Sequence, residues 1–250
     1  MGSYLRPTEL NEALRALGAQ GPRTILAGGT DFYPARVGRA IDDDILDITA
    51  LPLRGIESAG NHWRIGALTT WSDLAAAPLP ACFDALKAAA REVGGAQIQN
   101  AGTLAGNLCN ASPAADGVPP LLAMDAEIVL ASAAGERRVP LAQFVTGNRK
   151  TARRADELVT AIRVPKPAAG TQSTFLKLGA RRYLVISIVM VAATIEPDGR
   201  GQILRARVAV GACSPAAQRL GALESALGGL PIDARLATVA CAEHLAQTLT

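Results

Sequence analysis

The sequence contains few of the residues that build metal sites, with only four cysteines and two histidines among 250 residues. The cysteines lie far apart and form no Cys-x-x-Cys pair: Cys82, Cys109, Cys213 and Cys241. This spacing argues against a zinc site or an iron–sulfur cluster held by this chain alone, so no metal ligands are predicted. The expectation is buried free thiols in a reducing cytosol.

Aromatic residues, basic runs and long apolar stretches are also scarce. Aromatic residues make up 4% of the chain, so the core must be aliphatic. Positive charges come in pairs such as Arg137-Arg138 and Arg153-Arg154, without the longer run typical of a nucleic-acid surface. The longest apolar stretch, from Tyr183 to Ile195, is too short to span a bilayer, and no signal segment is visible at the N-terminus. A cytoplasmic protein is therefore expected, with no nucleic-acid partner and no membrane span.

Hydrophobic residues (49%) and charged residues (19%) are present in ordinary globular proportions. Apolar periodicity predicts helices over residues 10–17, capped by Thr8 and ended by Gly18, and over 83–93, 216–227 and 234–249. It predicts strands over residues 24–27, 45–48, 126–130, 158–164, 174–178, 185–195 and 206–210, and a hairpin of 56–58 with 63–65 around Gly60-Asn61. Helices and strands do not alternate regularly, which favours the α+β class, and Pro165-Lys166-Pro167 is the best linker candidate.

Two turns of small residues stand far apart in the chain, at residues 27–31 (AGGTD) and 102–107 (GTLAGN). Glycine has no Cβ and adopts positive φ, so such turns allow backbone N–H groups to converge on an anionic oxygen. Two of them can clamp the diphosphate of a dinucleotide. Neither Gly-x-Gly-x-x-Gly nor Gly-x-x-x-x-Gly-Lys is present, so the alternative of two structural turns stays open.

Several polar residues allow both a structural and a functional interpretation. Ser112 fits an ordinary turn, and Asp116 fits either a turn cap or an acceptor for ribose hydroxyls. Lys177, Arg181 and Arg182 fit surface charges, and Lys177 alone also fits a neighbour of a flavin ring. Their spacing alone does not decide between these alternatives.

The order of four motifs resembles one known family. The motifs are residues 25–31 (ILAGGTD), 97–107 (QIQNAGTLAGN), 111–116 (ASPAAD) and 175–182 (FLKLGARR). Together they resemble the FAD-binding medium subunit of molybdenum hydroxylases, the family of the carbon monoxide dehydrogenase medium chain and the xanthine dehydrogenase flavin domain. The resemblance covers nearly the whole chain.

The resemblance implies an α+β fold with a two-subdomain FAD-binding domain of the PCMH, vanillyl-alcohol-oxidase-like type. That domain is expected over residues 1–166, divided near 55–60, and a smaller domain of antiparallel sheet and helices over 170–250. The residues implied to contact FAD are Ile25, Leu26, Ala27, Gly28, Gly29, Thr30, Asp31, Phe32, Val93, Thr103, Leu104, Ala105, Gly106, Asn107, Asp116, Val159, Lys177 and Tyr183. The first loop and the turn from Thr103 to Asn107 are implied to hold the pyrophosphate, Asp116 the ribose or ribityl hydroxyls, and Val159 and Lys177 the isoalloxazine.

The sequence departs from the family pattern at two places. Ala105 stands where many relatives have glycine. The chain also stops at Thr250, before a family segment of the type Asp-x-Arg-x-Ser-x-x-Tyr-Arg, which predicts a shortened C-terminal domain. There is no cysteine-bearing insertion of the kind that holds an extra cluster in some relatives.

The main functional hypothesis is an oxidoreductase: the FAD-carrying electron-transfer subunit of a molybdenum hydroxylase. The implied partners are a small subunit with two [2Fe-2S] clusters and a large subunit with the molybdenum cofactor, arranged as a dimer of heterotrimers. Electrons would leave to NAD⁺, oxygen or a quinone, and no residue is assigned as a proton-transfer catalyst. The alternatives are a cofactor-free scaffold that kept the fold and a stand-alone flavin oxidoreductase.

Overall fold

The protein is described here by a computed structural model that covers residues 2–19 and 22–246. The α-helices are α1 (Leu10–Gly18), α2 (Trp71–Ala76), α3 (Asp84–Glu92), α4 (Ala96–Ala101), α5 (Leu104–Asn110), α6 (Val118–Leu122), α7 (Leu141–Phe144), α8 (Gly221–Leu227) and α9 (Ala242–Ala246). The strands are β1 (Tyr4–Leu5), β2 (Thr24–Leu26), β3 (Ile45–Asp47), β4 (Ile56–Ala59), β5 (His62–Gly66), β6 (Glu127–Ser132), β7 (Gly135–Pro140), β8 (Val145–Gly147), β9 (Lys150–Thr151), β10 (Leu158–Pro165), β11 (Gln172–Gly179), β12 (Ser187–Pro197), β13 (Ile203–Gly211) and β14 (Gln218–Arg219).

The N-terminal part is built on a small parallel sheet of order β1-β3-β2. Helix α1 buries Ala13, Leu14 and Leu17, the apolar stripe that the sequence predicts. The predicted cap at Thr8 is wrong. Glu9 is the extended N-cap residue and makes no side-chain cap hydrogen bond, so the helix begins too late for Thr8 to cap it.

The centre of the molecule is an antiparallel sheet of order β4-β5-β10-β6-β7. The predicted hairpin is confirmed as β4 and β5, and Gly60 at its turn has φ +55°. Strand β10 lies in the middle, where Ile162 pairs with Ile65 on one side and Ile128 on the other. All three isoleucines are fully buried, so the aliphatic core predicted from the composition runs across this sheet.

The C-terminal part is an antiparallel sheet of order β11-β12-β13-β14. One face of this sheet packs on α3 and α6, with Met190, Ala192 and Ala209 in the main core. The opposite face carries a separate apolar cluster with α8. The α+β class is therefore confirmed by two antiparallel sheets with helices packed against them.

Two of the predicted C-terminal helices are wrong in part. Within the predicted helix 216–227, Gln218 and Arg219 form strand β14 by pairing with β13, and only α8 (Gly221–Leu227) is helical. The predicted helix 234–249 is a 3-10 turn (Ala234–Thr238) followed by α9. Asp233 caps the turn by accepting a hydrogen bond from the Arg235 N–H, and residues 247–249 lie outside the described residues.

The expectation of buried cysteines is correct for Cys82 alone, since Cys109, Cys213 and Cys241 are exposed. In α5 the buried positions are Leu104, Ala105 and Leu108, so Cys109 lies off the buried face. Among residues 2–19 and 22–246, no histidine, cysteine or carboxylate residues form a metal-binding cluster. The same part of the chain contains no helix that is both long and apolar enough to cross a membrane.

Candidate functional site

The two small-residue loops predicted from the sequence touch each other through their backbones. The first follows β2, and the second joins α4 to α5. A Cβ atom placed on Gly28 would lie 1.9 Å from the carbonyl oxygen of Ala101 and 3.0 Å from the Cα of Gly102. A Cβ on Gly102 would in turn lie 3.4 Å from the Thr30 hydroxyl. Only glycine at position 28 permits this approach, so the contact explains the residue type.

The first loop presents a row of backbone donors. None of the N–H groups from Ala27 to Phe32 donates a hydrogen bond to another described residue. Gly29 has φ +69°, a conformation that turns successive N–H groups toward a common point. The residues from Ala27 to Thr30 are half-buried, so these donors are not simply spread over the open surface. The loop is a nest suited to an anionic oxygen.

The second loop is not the turn that the sequence suggests, because residues 104–110 form helix α5. Thr103 caps this helix by accepting a hydrogen bond from the Gly106 N–H at 3.0 Å. The loop is anchored to the start of α2, since the Leu104 N–H donates to the Thr69 carbonyl and the Trp71 N–H to the Gly102 carbonyl. Thr capping and the helix formers Leu and Ala account for the helix.

Further donors of the second loop have no acceptor in the part of the chain that the structure describes. These are the N–H groups of Thr103 and Ala105. The Asn107 side chain has a different task, since its Oδ1 accepts a hydrogen bond from the Gly117 N–H at 3.2 Å. Asn107 therefore connects this loop to the neighbourhood of Asp116.

Asp116, the last residue of the 111–116 motif, and Lys177 on strand β11 form a buried ion pair. The Lys177 Nζ lies 3.0 Å from Asp116 Oδ1 and 3.1 Å from Oδ2. Ser187 at the start of β12 donates to Asp116 Oδ1 at 3.1 Å. The interpretations of Asp116 as a turn cap and of Lys177 as a surface charge are therefore wrong. Burial raises the pKa of Asp116 above its ordinary range, although Lys177 and Ser187 oppose the shift.

The remaining predicted residues occupy several kinds of environment. Leu26, Leu104, Ala105 and Val159 are buried in the core, while Ile25 and Val93 are half-buried. Asp31 is exposed and Phe32 is half-buried. Tyr183 lies in the segment between β11 and β12 with 63% of its surface exposed, and the Arg182 guanidinium lies 5.3 Å from its ring centre. The same segment reaches α4, since a Cβ on Gly95 would lie 3.7 Å from Leu184 Cδ2.

Sequence reasoning missed two polar residues at this site, Ser187 and Arg149. Arg149, in the turn between β8 and β9, has φ +57°, and its N–H donates to the Ala111 carbonyl at 2.8 Å. Its guanidinium donates to the Asn110 side chain and lies 3.8 Å from the Asp31 carboxylate. The only local signal was the Gly147-Asn148 turn, which says nothing about the neighbouring loops.

Comparison with known proteins decides the family. The profile described as "FAD binding domain in molybdopterin dehydrogenase" matches residues 1–167. The chain belongs to this family. The profile described as "CO dehydrogenase flavoprotein C-terminal domain" matches residues 174–250. The resemblance inferred from the four motifs is thus confirmed, and the family assignment makes this an FAD-binding component of an oxidoreductase.

Curated relatives of this family member are FAD subunits. The nicotinate dehydrogenase FAD-subunit of Eubacterium barkeri is 37% identical over 72% of this chain, and the match spans 63% of that relative's length. A putative xanthine dehydrogenase FAD-binding subunit of Escherichia coli is 33% identical over 92% of this chain and 80% of its own. These two names apply to the relatives and not to this chain.

Solved structures of the family share the fold. Carbon monoxide dehydrogenase from Hydrogenophaga pseudoflava matches with a TM-score of 0.86 and 31% identity, over 95% of this chain and 84% of that one. Quinoline 2-oxidoreductase from Pseudomonas putida 86 also matches with a TM-score of 0.86, at 27% identity over 96% of this chain and 84% of that one. The predicted fold class is confirmed by these matches.

Proposed function

We propose that this chain is the FAD-carrying electron-transfer subunit of a molybdenum hydroxylase. In this role it accepts electrons from [2Fe-2S] clusters of a partner subunit and delivers them to an external acceptor. The observation that carries the proposal is the row of backbone donors from Ala27 to Phe32, half-buried except at Asp31, which have no acceptor in the described residues and lie against the second loop. A diphosphate supplies the anionic oxygens that such a nest requires.

The two loops fit the diphosphate of FAD from both sides. The proposed diphosphate ligands are Ile25, Leu26, Ala27, Gly28, Gly29, Thr30, Asp31 and Phe32 of the first loop and Thr103, Leu104, Ala105, Gly106 and Asn107 of the second. Leu26 and Leu104 bury their side chains. Of the N–H groups in this set, those from Ala27 to Phe32 and those of Thr103 and Ala105 have no acceptor in the described residues, whereas the Leu104 N–H donates to the Thr69 carbonyl. Arg149 lies between the first loop and the C-terminal end of α5, where its guanidinium contacts Asp31 and Asn110, and it adds a positive charge beside the first loop.

The ion pair at Asp116 fits the hydroxyls of the sugar part of FAD. An ionised carboxylate offers about four lone-pair sites. Lys177 and Ser187 contact Oδ1, and Lys177 also contacts Oδ2, so Asp116 keeps acceptor capacity for a hydroxyl. Lys177 is proposed to lie beside the isoalloxazine together with Val93, Val159 and Tyr183.

FAD, when bound, supplies the redox chemistry, and the protein supplies position and electrostatics. The residues around the two loops include no pair of nucleophile and base, so no side chain is assigned a proton transfer. Lys177 and Arg181 are the cations proposed to balance negative charge on the flavin. The Arg181 guanidinium itself donates to the Leu184 carbonyl, which fixes it at the segment that carries Tyr183.

The proposed complex contains a small iron–sulfur subunit and a large molybdopterin subunit, as a dimer of heterotrimers. Relatives named as medium chains support a multi-subunit assembly, among them those of glyceraldehyde dehydrogenase and carbon monoxide dehydrogenase. The proposed domains are residues 1–166, with a division near 55–60, and 170–250. The chain leaves the parallel sheet before β4 and leaves the central sheet between β10 and β11, and these two changes of sheet support the limits.

The test isolates the tagged chain from its host and measures FAD, iron and molybdenum per chain. The chain alone is then stripped of flavin and titrated with FAD and with FMN, which lacks the second phosphate and the adenosine. The proposal predicts stoichiometric FAD, copurified iron and molybdenum, and far tighter binding of FAD than of FMN. A chain that binds neither flavin would be the cofactor-free scaffold. Equal binding of both flavins would contradict the proposal that the two loops bind the diphosphate.

A further inference from the structure

A second cleft lies where the C-terminal sheet meets the segment that follows β10. Its volume is about 300 Å³. One wall comes from the end of β10 and the linker, including Val164, Pro165 and Lys166. The other wall is the inner face of β12 and β13, where Thr194 pairs with Arg207 and Glu196 with Arg205. Both halves of the molecule therefore contribute to this cleft.

The cleft is separate from the two glycine loops. Lys177, which holds Asp116, pairs with Met190 on β12. Thr194 is four residues further along the same strand, and a strand rises about 3.3 Å per residue, so the two sites are ~13 Å apart along the sheet. The residues that line the cleft include none of those proposed to contact FAD.

Thr194 lines this cleft with a hydroxyl that has no hydrogen-bond partner in the described residues. The residue is 2% exposed. Buried hydroxyl groups are almost always hydrogen-bonded, because leaving one unpaired costs free energy. The Thr194 hydroxyl is therefore a buried donor at the wall of the cleft that the described residues leave unsatisfied.

The charges of the cleft leave positive groups unpaired. The buried Arg207 contacts Asp125 at 2.5 Å and Glu196 at 3.5 Å, so both carboxylates of the cleft are engaged. Arg205 and Lys166 also line the cleft and form no ion pair with a described residue. Among the described residues, the Lys166 Nζ donates to the Ser58 hydroxyl and lies 5.6 Å from the centre of the Trp63 ring. The cleft thus holds three cations against two carboxylates, which favours an anion.

The opposite wall is apolar. Met124, Val164, Pro165 and Pro167 present hydrocarbon surface next to the charged strand face. A ligand that satisfies both walls has a compact apolar body and one anionic end. Pockets that combine apolar lining with a few convergent polar groups are typical small-molecule sites.

We propose that this cleft binds a small organic carboxylate. Its apolar body lies against Met124, Val164 and the linker prolines. Its carboxylate accepts a hydrogen bond from the Thr194 hydroxyl and interacts with Arg205 and Lys166. Because the walls come from β10 and its linker on one side and from β12 and β13 on the other, a bound ligand stabilises the contact between the two parts of the molecule.

The test uses cyclohexanecarboxylate as the probe and the neutral cyclohexanecarboxamide and inorganic phosphate as comparisons, on the flavin-saturated chain. An aliphatic probe is chosen because it does not stack on a flavin. Calorimetric titration is expected to show saturable binding of the carboxylate and weaker binding of the amide and of phosphate. Equal binding of the amide, preferred binding of phosphate, or no saturable binding overturns the proposal.

The variant Thr194→Val separates the ligand site from a structural role. It removes the unpaired hydroxyl, so the unliganded variant is expected to melt at or above the wild-type temperature, while its affinity for the probe falls about tenfold. The matched control Thr174→Val changes an exposed threonine of β11 and is expected to bind the probe as the wild type does. Unchanged affinity in Thr194→Val overturns the proposal, whether or not the chain binds FAD.

Discussion

At the scale of single residues, the contact between Gly28 and Ala101 fixes how the two loops meet. The first loop approaches the second so closely that a methyl group at position 28 has no room beside the Ala101 carbonyl. The obstruction is backbone, which cannot rotate away as a side chain can. The shape of the nest therefore depends on the absence of a single carbon atom.

The variant Gly28→Ala is expected to separate the loops. Overpacking of this kind costs ~1–3 kcal/mol of stability, and a nest that loses its geometry is expected to bind FAD at least about tenfold more weakly. The matched control is Gly221→Ala, where a Cβ meets nothing within 4 Å. Thermal melting and FAD content of the purified variants check both effects. If Gly28→Ala kept wild-type FAD affinity, the loops would not form the diphosphate site.

The sequence predicts the residues of this site better than it predicts their partners. The glycine loops are recognisable because positive φ and close backbone approach require glycine, which is visible in the sequence. The partnership of Asp116 with Lys177 is not visible there, because the two residues lie on different elements and meet only when β11 packs against the FAD-binding part. Arg149 was missed for the same reason.

At the scale of elements, the second loop depends on how α2 begins. Thr70 and Asp73 form a capping box, in which the Thr70 hydroxyl accepts from the Asp73 N–H and the Asp73 carboxylate accepts from the Thr70 N–H. Thr70 is also bridged to Thr103, the residue that caps α5. The cap of α2 and the cap of α5 are thus bridged to each other, and together they position the Thr103 loop.

The variant Asp73→Asn is expected to weaken this arrangement in a pH-dependent way. The hydrogen bonds from Arg54, with Thr70 adding to them, lower the pKa of Asp73 to about 2. An unfolded aspartate titrates near about 3.9, so the stabilisation is complete above that pH and is lost as the pH falls through about 2.

At neutral pH the change is expected to cost ~1 kcal/mol or less, because the ion pair with the largely exposed Arg54 is lost while the Thr70 hydroxyl still accepts from the N–H of residue 73. Urea unfolding between pH 7 and pH 2 should show a shallower acid loss for Asp73→Asn than for the wild type. Asp42→Asn, an exposed carboxylate with no hydrogen bond to a described residue, serves as the control. Parallel curves for wild type and Asp73→Asn would contradict the prediction.

Elements with a clear period were predictable, and elements held by capping were not. The β4–β5 hairpin and helix α3 follow from alternation and from an apolar stripe. Helices α4 and α5 are short and rich in small and polar residues, so their sequence carries no period. The cap at Thr103 fixes the start of α5, whereas α4 begins after Gly95 without a side-chain cap. The local sequence predicts helix at β14, but its two residues are strand because they pair with β13, and that long-range pairing is not visible in the local sequence.

At the scale of the whole molecule, one buried ion pair joins the C-terminal sheet to the FAD-binding part. The Lys177 side chain is 6% exposed and that of Asp116 is 11% exposed. Two charges withdrawn from water in this way cost desolvation energy, which their attraction and the Ser187 hydrogen bond offset. Each buried charge is therefore compensated only when the C-terminal sheet is packed correctly against the FAD-binding part.

The single variants Asp116→Asn and Lys177→Met are each expected to cost ~3–5 kcal/mol, because each leaves the other partner buried without its counter-charge. The double variant is expected to cost less than their sum by ~1 kcal/mol or more, measured by urea unfolding of the flavin-free chain. The exposed pair Asp233 and Arg235 provides the control cycle, Asp233→Asn with Arg235→Met, whose coupling is expected to be smaller than that of the buried pair because water screens the two charges. Additive losses at Asp116 and Lys177 would mean that the two parts pack without help from this pair. The packing would then rest on the apolar contacts of α3 and α6 with the sheet and on the ion pairs of Arg207 and Arg219 with Asp125.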